Sequence, residues 1–350
     1  MELSHGGDWA GYEREYSVPL LDFSANVSPL GIPEKVRQAA VRALDRADRY
    51  PDPLCRELRE KLSERHSVPA DWILCGNGAS DLIYRLALAK GPKTALVSAP
   101  TFSEYENALT LCGCSVTRFP LRHNNNYAVS EDILTAVAPG LDMMFLCEPN
   151  NPTGRTTDRR LLVKILERCA AQGALLVVDE CFNDLLDNPV EHSLVKLLSS
   201  FPNLLVLRAF TKSYGMAGLR LGYALCRNVR LLEQMRTSGP PWAVSGPAQA
   251  AGLAALEEDG YLSQVRRLIQ RERPRLAAGL EVLGFQVCPG EANYLLFFSP
   301  ASNLGERLRE RGVLLRDCSN YHGLGPGWYR AAVRTGEENQ VLLRTMREVL

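Results

Sequence analysis

Residues 210–223 read FTKSYGMAGLRLGY, and one lysine stands there among glycines and small uncharged residues. The apolar run LLVLRAF (204–210) leads into it and a second, LRLGYAL (219–225), follows. Lys212 is one of seven lysines in 350 residues; arginine supplies the rest of the basic charge. A lysine is ordinarily solvated at the surface, but this one follows an apolar strand directly. Ser213, Gly215, Ala217 and Gly218 leave room for a planar group to approach the backbone. A desolvated ammonium gives up its proton more readily, and the free amine it leaves can form a Schiff base with an aldehyde.

Outward from Lys212, short apolar runs alternate with amphipathic segments: ALVSAP (95–100), MMFLCEP (143–149), ALLVVDE (174–180), then the two runs already quoted. These runs are continuously apolar instead of alternating, which predicts an α/β architecture with a largely parallel sheet covered on both faces. In such sheets ligands gather at the carboxyl ends of the strands. There the sequence places Ala79-Ser80 after ILCGNG, Asn150-Asn151 after LCEP, Asp179 at the close of LLVVD, and Lys212. Beyond residue 240 the pattern changes to long helices, roughly 245–258 and 260–283, then ANYLLFF, LGERLRERG, VLLRD and YRAAVR. That predicts a smaller lobe over 241–350, a large lobe over 50–240, and an amino-terminal arm, 1–49, whose DFSANVSPLG segment packs with the small lobe.

Lysine plus arginine equals aspartate plus glutamate at 40 each, so no bulk basic field draws in nucleic acid or an anionic membrane. No basic segment followed by an apolar run opens the sequence, no stretch of about 18 apolar residues occurs, and the expected location is the cytoplasm. Ten scattered cysteines lack zinc-site spacing and read as reduced and mostly buried; no metal site is expected.

A carboxylate at a strand end, as at Asp179, is costly unless it meets a cation, caps a helix or joins an internal salt bridge. If the cation is a protonated pyridine nitrogen, the ring accepts electrons from a carbanion, and lysine plus aspartate together suggest pyridoxal phosphate. Its phosphate then needs a cradle. GNGAS (76–80) opens the helix DLIYRLAL, so Gly78, Ala79 and Ser80 would present amides and a hydroxyl at a positive helix end. Arg220 adds a guanidinium clamp. Such a loop alone is often a plain turn; its weight comes from its order along the chain.

The ordered set GNGAS, APTF, NNPTG, VVDECF, FTK and GLRLGY resembles the fold-type I pyridoxal-phosphate enzymes, the aspartate aminotransferase superfamily, over essentially the whole chain. The resemblance implies a seven-stranded, mostly parallel sheet and a smaller carboxyl-terminal domain. It implies that Lys212 forms the imine with the cofactor, Asp179 pairs with the pyridine nitrogen, Asn151 donates to the phenolic oxygen and Phe102 stacks on the ring. Ser80, Thr211 and Arg220 would hold the phosphate. Tyr50, in DRYPDP, resembles the tyrosine that reaches the neighbouring subunit's cofactor, which implies a homodimer with shared active sites; alone it reads as a core aromatic before a turn. Phe182 and Ala209 depart from the common pattern of a tyrosine and a serine.

Within the superfamily the sequence is similar to the histidinol-phosphate aminotransferases and, more, to the threonine-phosphate decarboxylases of cobalamin biosynthesis. SHGGD (4–8), ECF, LLRDCSNYHGL (314–324) and YRAAVR (329–334) favour the second. By that likeness Arg330 binds the α-carboxylate, Arg316 the distal phosphate, and His5 and Asn26 assist. Strand alternation would put Arg334 on the same side as Arg330, although any of these arginines could be merely exposed. The reading implied is decarboxylation of O-phospho-L-threonine, with O-phospho-L-serine a further substrate. The alternatives are an aminotransferase and a non-catalytic regulator that keeps the fold.

Overall fold

The computed structural model describes residues 5–301 and 303–350; Ser4, the first residue of the SHGGD motif, lies outside the described residues. Strand β1 (Leu21–Asp22) precedes a seven-stranded sheet made of β2 (Ile73–Gly76), β3 (Thr94–Ala99), β4 (Ser115–Pro120), β5 (Met143–Cys147), β6 (Leu175–Asp179), β7 (Leu204–Ala209) and β8 (Gly222–Cys226). Their order across the sheet is β2-β8-β7-β6-β5-β3-β4. Pairings are parallel from β7 through β6, β5 and β3 to β4, while β8 runs antiparallel to both its neighbours, β7 and β2.

The continuous apolar runs are explained by packing on both faces. Met144, Leu146, Leu176, Val178, Leu204 and Val206 face one core, and Met143, Phe145, Leu175, Val177, Leu205 and Leu207 face the other. No position in β5, β6 or β7 meets solvent. At the edge, β4 is half open and its exposures vary along the strand. The ten cysteines are unpaired; Cys75 and Cys112 are half-buried and the others buried.

The smaller carboxyl-terminal domain carries β9 (Gln286–Val287), β10 (Tyr294–Phe298), β11 (Val313–Leu314), β12 (Arg316–Asp317) and β13 (Trp328–Ala332). Four of these form an antiparallel sheet in the order β12-β13-β10-β9. The segment VLLRD, read from sequence as one strand, is two: β11 pairs in parallel with β1, while β12 pairs with β13. That split brings Leu21 opposite Val313 and Phe23 into the small-domain core. The helix Gly336–Val349 covers this core and starts in a capping box, with Thr335 and Glu338 each satisfying the other's backbone amide.

The long helix Tyr261–Val282 belongs to both domains. Its first half, through Val265 and Ile269, packs in the large core with Ala248, Ala251 and Ala255 of the helix Gly246–Leu256; its second half, Leu276 and Leu280, packs in the small one.

Candidate active site

The sheet's directions decide what meets. β5, β6 and β7 end on one edge, bringing Asn151, Asp179 and Lys212 there. Because β8 is antiparallel to β7, its beginning, next to Arg220, lies at that edge; because β2 is antiparallel to β8, its end, with Gly78 to Ser80, lies there too. A cavity of about 370 Å³ opens at this edge. It is lined by Lys212, Asp179, Asn151, Phe102, Ala79, Ser80, Thr211 and Arg220 from the large domain, by Arg316 and Arg330 from the small one, and by His5 and Asn26 from the arm.

Lys212 sits in the short turn of helix Phe210–Ser213 directly after β7, its backbone carbonyl accepting from Ser28 N at 2.9 Å. Burial, with the Arg330 and then the Arg220 guanidinium adding to it against Cys181 and Asp179, lowers its ammonium to about 8. The free amine is therefore about 300-fold more abundant at pH 7 than for an ordinary lysine. In the cofactor-free protein, modification of Lys212 by an amine-directed reagent should rise with a midpoint near pH 8, two units and more below the surface lysines, read by peptide mass mapping across pH.

Asp179 is fixed by two donors: Tyr105 Oη to Oδ2 at 2.7 Å, and the Cys181 amide to Oδ1 at 3.0 Å. Tyr105 is stacked on Phe145 (4.9 Å between centroids) and meets Phe102 edge-on. Sequence reasoning did not single it out. It lies three residues after Phe102 and, from its apolar setting alone, reads as a core aromatic.

At the other end, Gly78 has φ +78 and a Cβ there would fall 2.4 Å from Arg220 Nη2, so the guanidinium lies over the start of helix Gly78–Lys90. The Asn77 side chain does not cap that helix, the Asp81 carboxylate accepts from the Asn77 amide at 2.9 Å, and among the described residues the amides of Gly78, Ala79 and Ser80 have no side-chain acceptor, leaving them to an anion. Gly222 permits the approach, since a Cβ there would be 2.6 Å from Ala79 N. Arg220 itself has φ +59. Ala209, in place of a serine, lines the cavity without a hydroxyl. Phe182 packs edge-on against Tyr294, with Lys212 Nζ 5.7 Å from its ring centre.

Three arginines divide. Arg330 is buried; its Nη1 donates to Asn151 Oδ1 and its Nη2 to Ser24 O at 2.8 Å. Arg316, directly opposite Arg330 across β12 and β13, is buried too and donates to Asn320 Oδ1 at 2.9 Å. Arg334 does not join them. β13 ends at Ala332, so strand alternation does not extend to it; its guanidinium turns to Glu338 Oε1 (2.6 Å) and Asp22 O (3.1 Å). Arg334→Ala should therefore raise the KM for substrate by no more than about twofold, on the scale of a lost, partly solvated ion pair, whereas Arg330→Ala should raise it on the order of 100-fold if Arg330 meets a substrate anion, the scale of a lost charged pair; steady-state kinetics compares them.

His5 Nε2 contacts Glu104 Oε1 at 2.8 Å, and its ring lies 5.6 Å from Phe102. His5, against the opposing pull of burial and together with Tyr84 and Asn107, holds the Glu104 carboxyl low, at about 2. Asn26 is 1% exposed, and among the described residues neither its side-chain nitrogen nor its side-chain oxygen has a partner. A buried amide left so is costly unless a ligand meets it. Tyr50 lies outside the cavity, 80% exposed and stacked on Trp242 at 4.4 Å. Tyr321, Ser24 and Glu104 also line the cavity and were not anticipated: Tyr321 and Ser24 lie in loops without periodic signal, and Glu104 opens the helix Glu104–Leu111, where an acidic residue is ordinary.

These residues fit pyridoxal phosphate. The amine, the doubly held carboxylate beside it, and a glycine cradle that a side chain would fill answer to an aldehyde, a ring nitrogen and a phosphate. Site and fold together define a pyridoxal-phosphate-dependent enzyme of fold type I. The chain belongs to the aminotransferase class I and II family, whose model matches residues 18–346. It is 39% identical to threonine-phosphate decarboxylase from Salmonella typhimurium over 95% of this chain and 91% of that one. It is 35% identical to histidinol-phosphate aminotransferase from Symbiobacterium thermophilum over the same shares. Among solved structures it resembles L-threonine-O-3-phosphate decarboxylase from Porphyromonas gingivalis, with a TM-score of 0.83 at 25% identity, covering 94% of this chain and 99% of that one. With histidinol-phosphate aminotransferase from Clostridium acetobutylicum the TM-score is 0.87 at 26% identity, with the same coverage. Among the described residues no helix is long and apolar enough to cross a membrane.

Proposed function

We propose that this chain decarboxylates O-phospho-L-threonine to (R)-1-aminopropan-2-yl phosphate and carbon dioxide, working as a homodimer in the cytoplasm. The observation that carries the reading is the pair Arg316 and Arg330, buried opposite each other in register and lining one cavity with Lys212. A substrate with both a carboxylate and a phosphate brings about three negative charges and needs cations at both ends.

When bound, pyridoxal phosphate supplies an aldehyde for an amine and a ring that withdraws electrons from the α-carbon. Ser80, Thr211, Arg220 and the amides after Gly78 would hold its phosphate, with Asp179 at its ring nitrogen, Asn151 at its phenolic oxygen and Phe102 against its face. The protein's own work is orientation. Arg330 takes the substrate carboxylate, while Arg316, His5 and Asn26 take the distal phosphate, so that remote binding energy turns the bond to the carboxylate into the position where it breaks. Lys212 Nζ, poised near pH 8, delivers the proton that replaces carbon dioxide. Tyr50 and Trp242, stacked and exposed, suit contact with a second copy.

The second reading is an aminotransferase, favoured by the 35% identity and the TM-score of 0.87 above. Incubating the loaded enzyme with phosphothreonine and no 2-oxo acid separates the two. Catalytic release of carbon dioxide is expected; stoichiometric conversion of the cofactor to its amine form would favour transamination, and a loaded protein that does neither would be a regulator. Phosphoserine, smaller by one methyl, should be turned over less efficiently by a factor of about 10 to 200, the worth of one methylene in a pocket.

A further inference from the structure

We propose that Arg208 and Asp184 are positioning residues that set the separation of Asp179 and Lys212 from behind the cavity. The residues following the two active-site groups are Glu180 and Ser213, and both are buried. Arg208, on β7, joins them. Its Nη2 donates to Glu180 Oε2 at 2.5 Å and its Nη1 to Asp184 Oδ1 at 2.7 Å, and the other oxygen of Asp184 accepts from Ser213 Oγ at 3.3 Å. The chain Glu180–Arg208–Asp184–Ser213 thus runs from the neighbour of Asp179 to the neighbour of Lys212. Its first member is anchored further, by Ser193 Oγ at 2.8 Å and the Leu194 amide at 2.7 Å.

A buried charge cluster is a weak way to gain stability, because desolvation consumes most of the attraction, and apolar groups of equal volume usually serve as well. What it supplies that apolar packing does not is a fixed length. The planar guanidinium presents its donors in one rigid fork, so the two carboxylates it holds keep one spacing. Burial pushes the Asp184 carboxyl up, yet Arg208 opposite it leaves the group below its ordinary value, so it is ionised and able to accept from Ser213 at neutral pH. Misplacement of reacting groups by an ångström or less is enough to slow a reaction, and the turn carrying Lys212 is only four residues long.

This inference rests on the reading in which Lys212 and Asp179 serve the same cofactor ring. The test uses Ser213→Ala and Asp184→Asn, with pyridoxal phosphate itself as the probe. Each variant is titrated for the pH midpoint of the visible absorbance gained on mixing, and for kcat and KM with phosphothreonine. Both variants should show a midpoint moved by about half a unit or more, and kcat lowered on the order of tenfold with KM held within about twofold. Ser213→Ala, which deletes one hydroxyl, decides the matter alone if Asp184→Asn unfolds. An unchanged midpoint and kcat in Ser213→Ala, or a loss of activity matched by loss of folded protein, would overturn the proposal. Wild-type protein that gains no visible absorbance would overturn the parent reading as well, and so tells the two failures apart.

Discussion

Lys212→Ala is expected to abolish turnover, lowering kcat by at least about 10³-fold, since on the proposed reading it removes both the amine that would receive the cofactor and the group that would move the proton. Borohydride should then fix no cofactor to the chain, while the phosphate cradle proposed at Ser80, Thr211 and Arg220 should still retain it. A second measurement checks the same residue without any cofactor. Lys212 titrates at about 8 in the folded chain and at its ordinary 10.5 when unfolded. A lowered ammonium costs the folded state its full penalty below pH 8 and nothing above 10.5. The cofactor-free Lys212→Met protein should therefore melt at a higher temperature than wild type at pH 7, with the gap closing as pH rises from 8 to 10.5. A gap that is constant across that range would contradict the assignment.

Arg208→Ala should be strongly destabilising. It removes the cation facing the fully buried carboxylate of Glu180 and one oxygen of Asp184, leaving Glu180 only the neutral donors Ser193 Oγ and Leu194 N, and breaking such a buried pair costs about 3–5 kcal/mol. For a chain of this size the melting temperature should fall by about 5–15 °C, measured by calorimetry. Arg334→Ala, whose partner Glu338 is only partly buried, should move it by a degree or two.

The sequence was most legible where one physical requirement acted on consecutive residues. β5, β6 and β7 are covered on both faces, so nearly every position is apolar, Asp179 and Arg208 excepted, and the run announces itself. β4, at the sheet's edge with no buried position, and β2, four residues long, lack that signature. The two-residue strands β1 and β11 exist only because they find each other across nearly 300 positions, which no local pattern encodes. The site divides in the same way. Lys212, Asp179 and Asn151 stood out as polar groups at the ends of apolar strands. Tyr105 did not, because a tyrosine whose hydroxyl meets Asp179 and one that merely fills a core have the same neighbours in sequence. Arg334 misled for a related reason: alternation was extended two residues beyond the point where the strand stops.

Pro274 lies inside the helix Tyr261–Val282, between Ile269, rooted in the large core, and Leu276, rooted in the small one. A proline there offers no amide to the carbonyl one turn earlier and crowds it, so the rod is weakest in bending at the joint between its two footings. Tilting the small domain about that joint would carry Arg316 and Arg330 towards or away from Lys212 as a unit, at the cost of shifting the contacts of Leu121 and Tyr127 with Leu296 and Tyr321 between the two domains. On the proposed reading, such an elbow would let the hold on a substrate's two anionic ends tighten or relax as the small domain tilts.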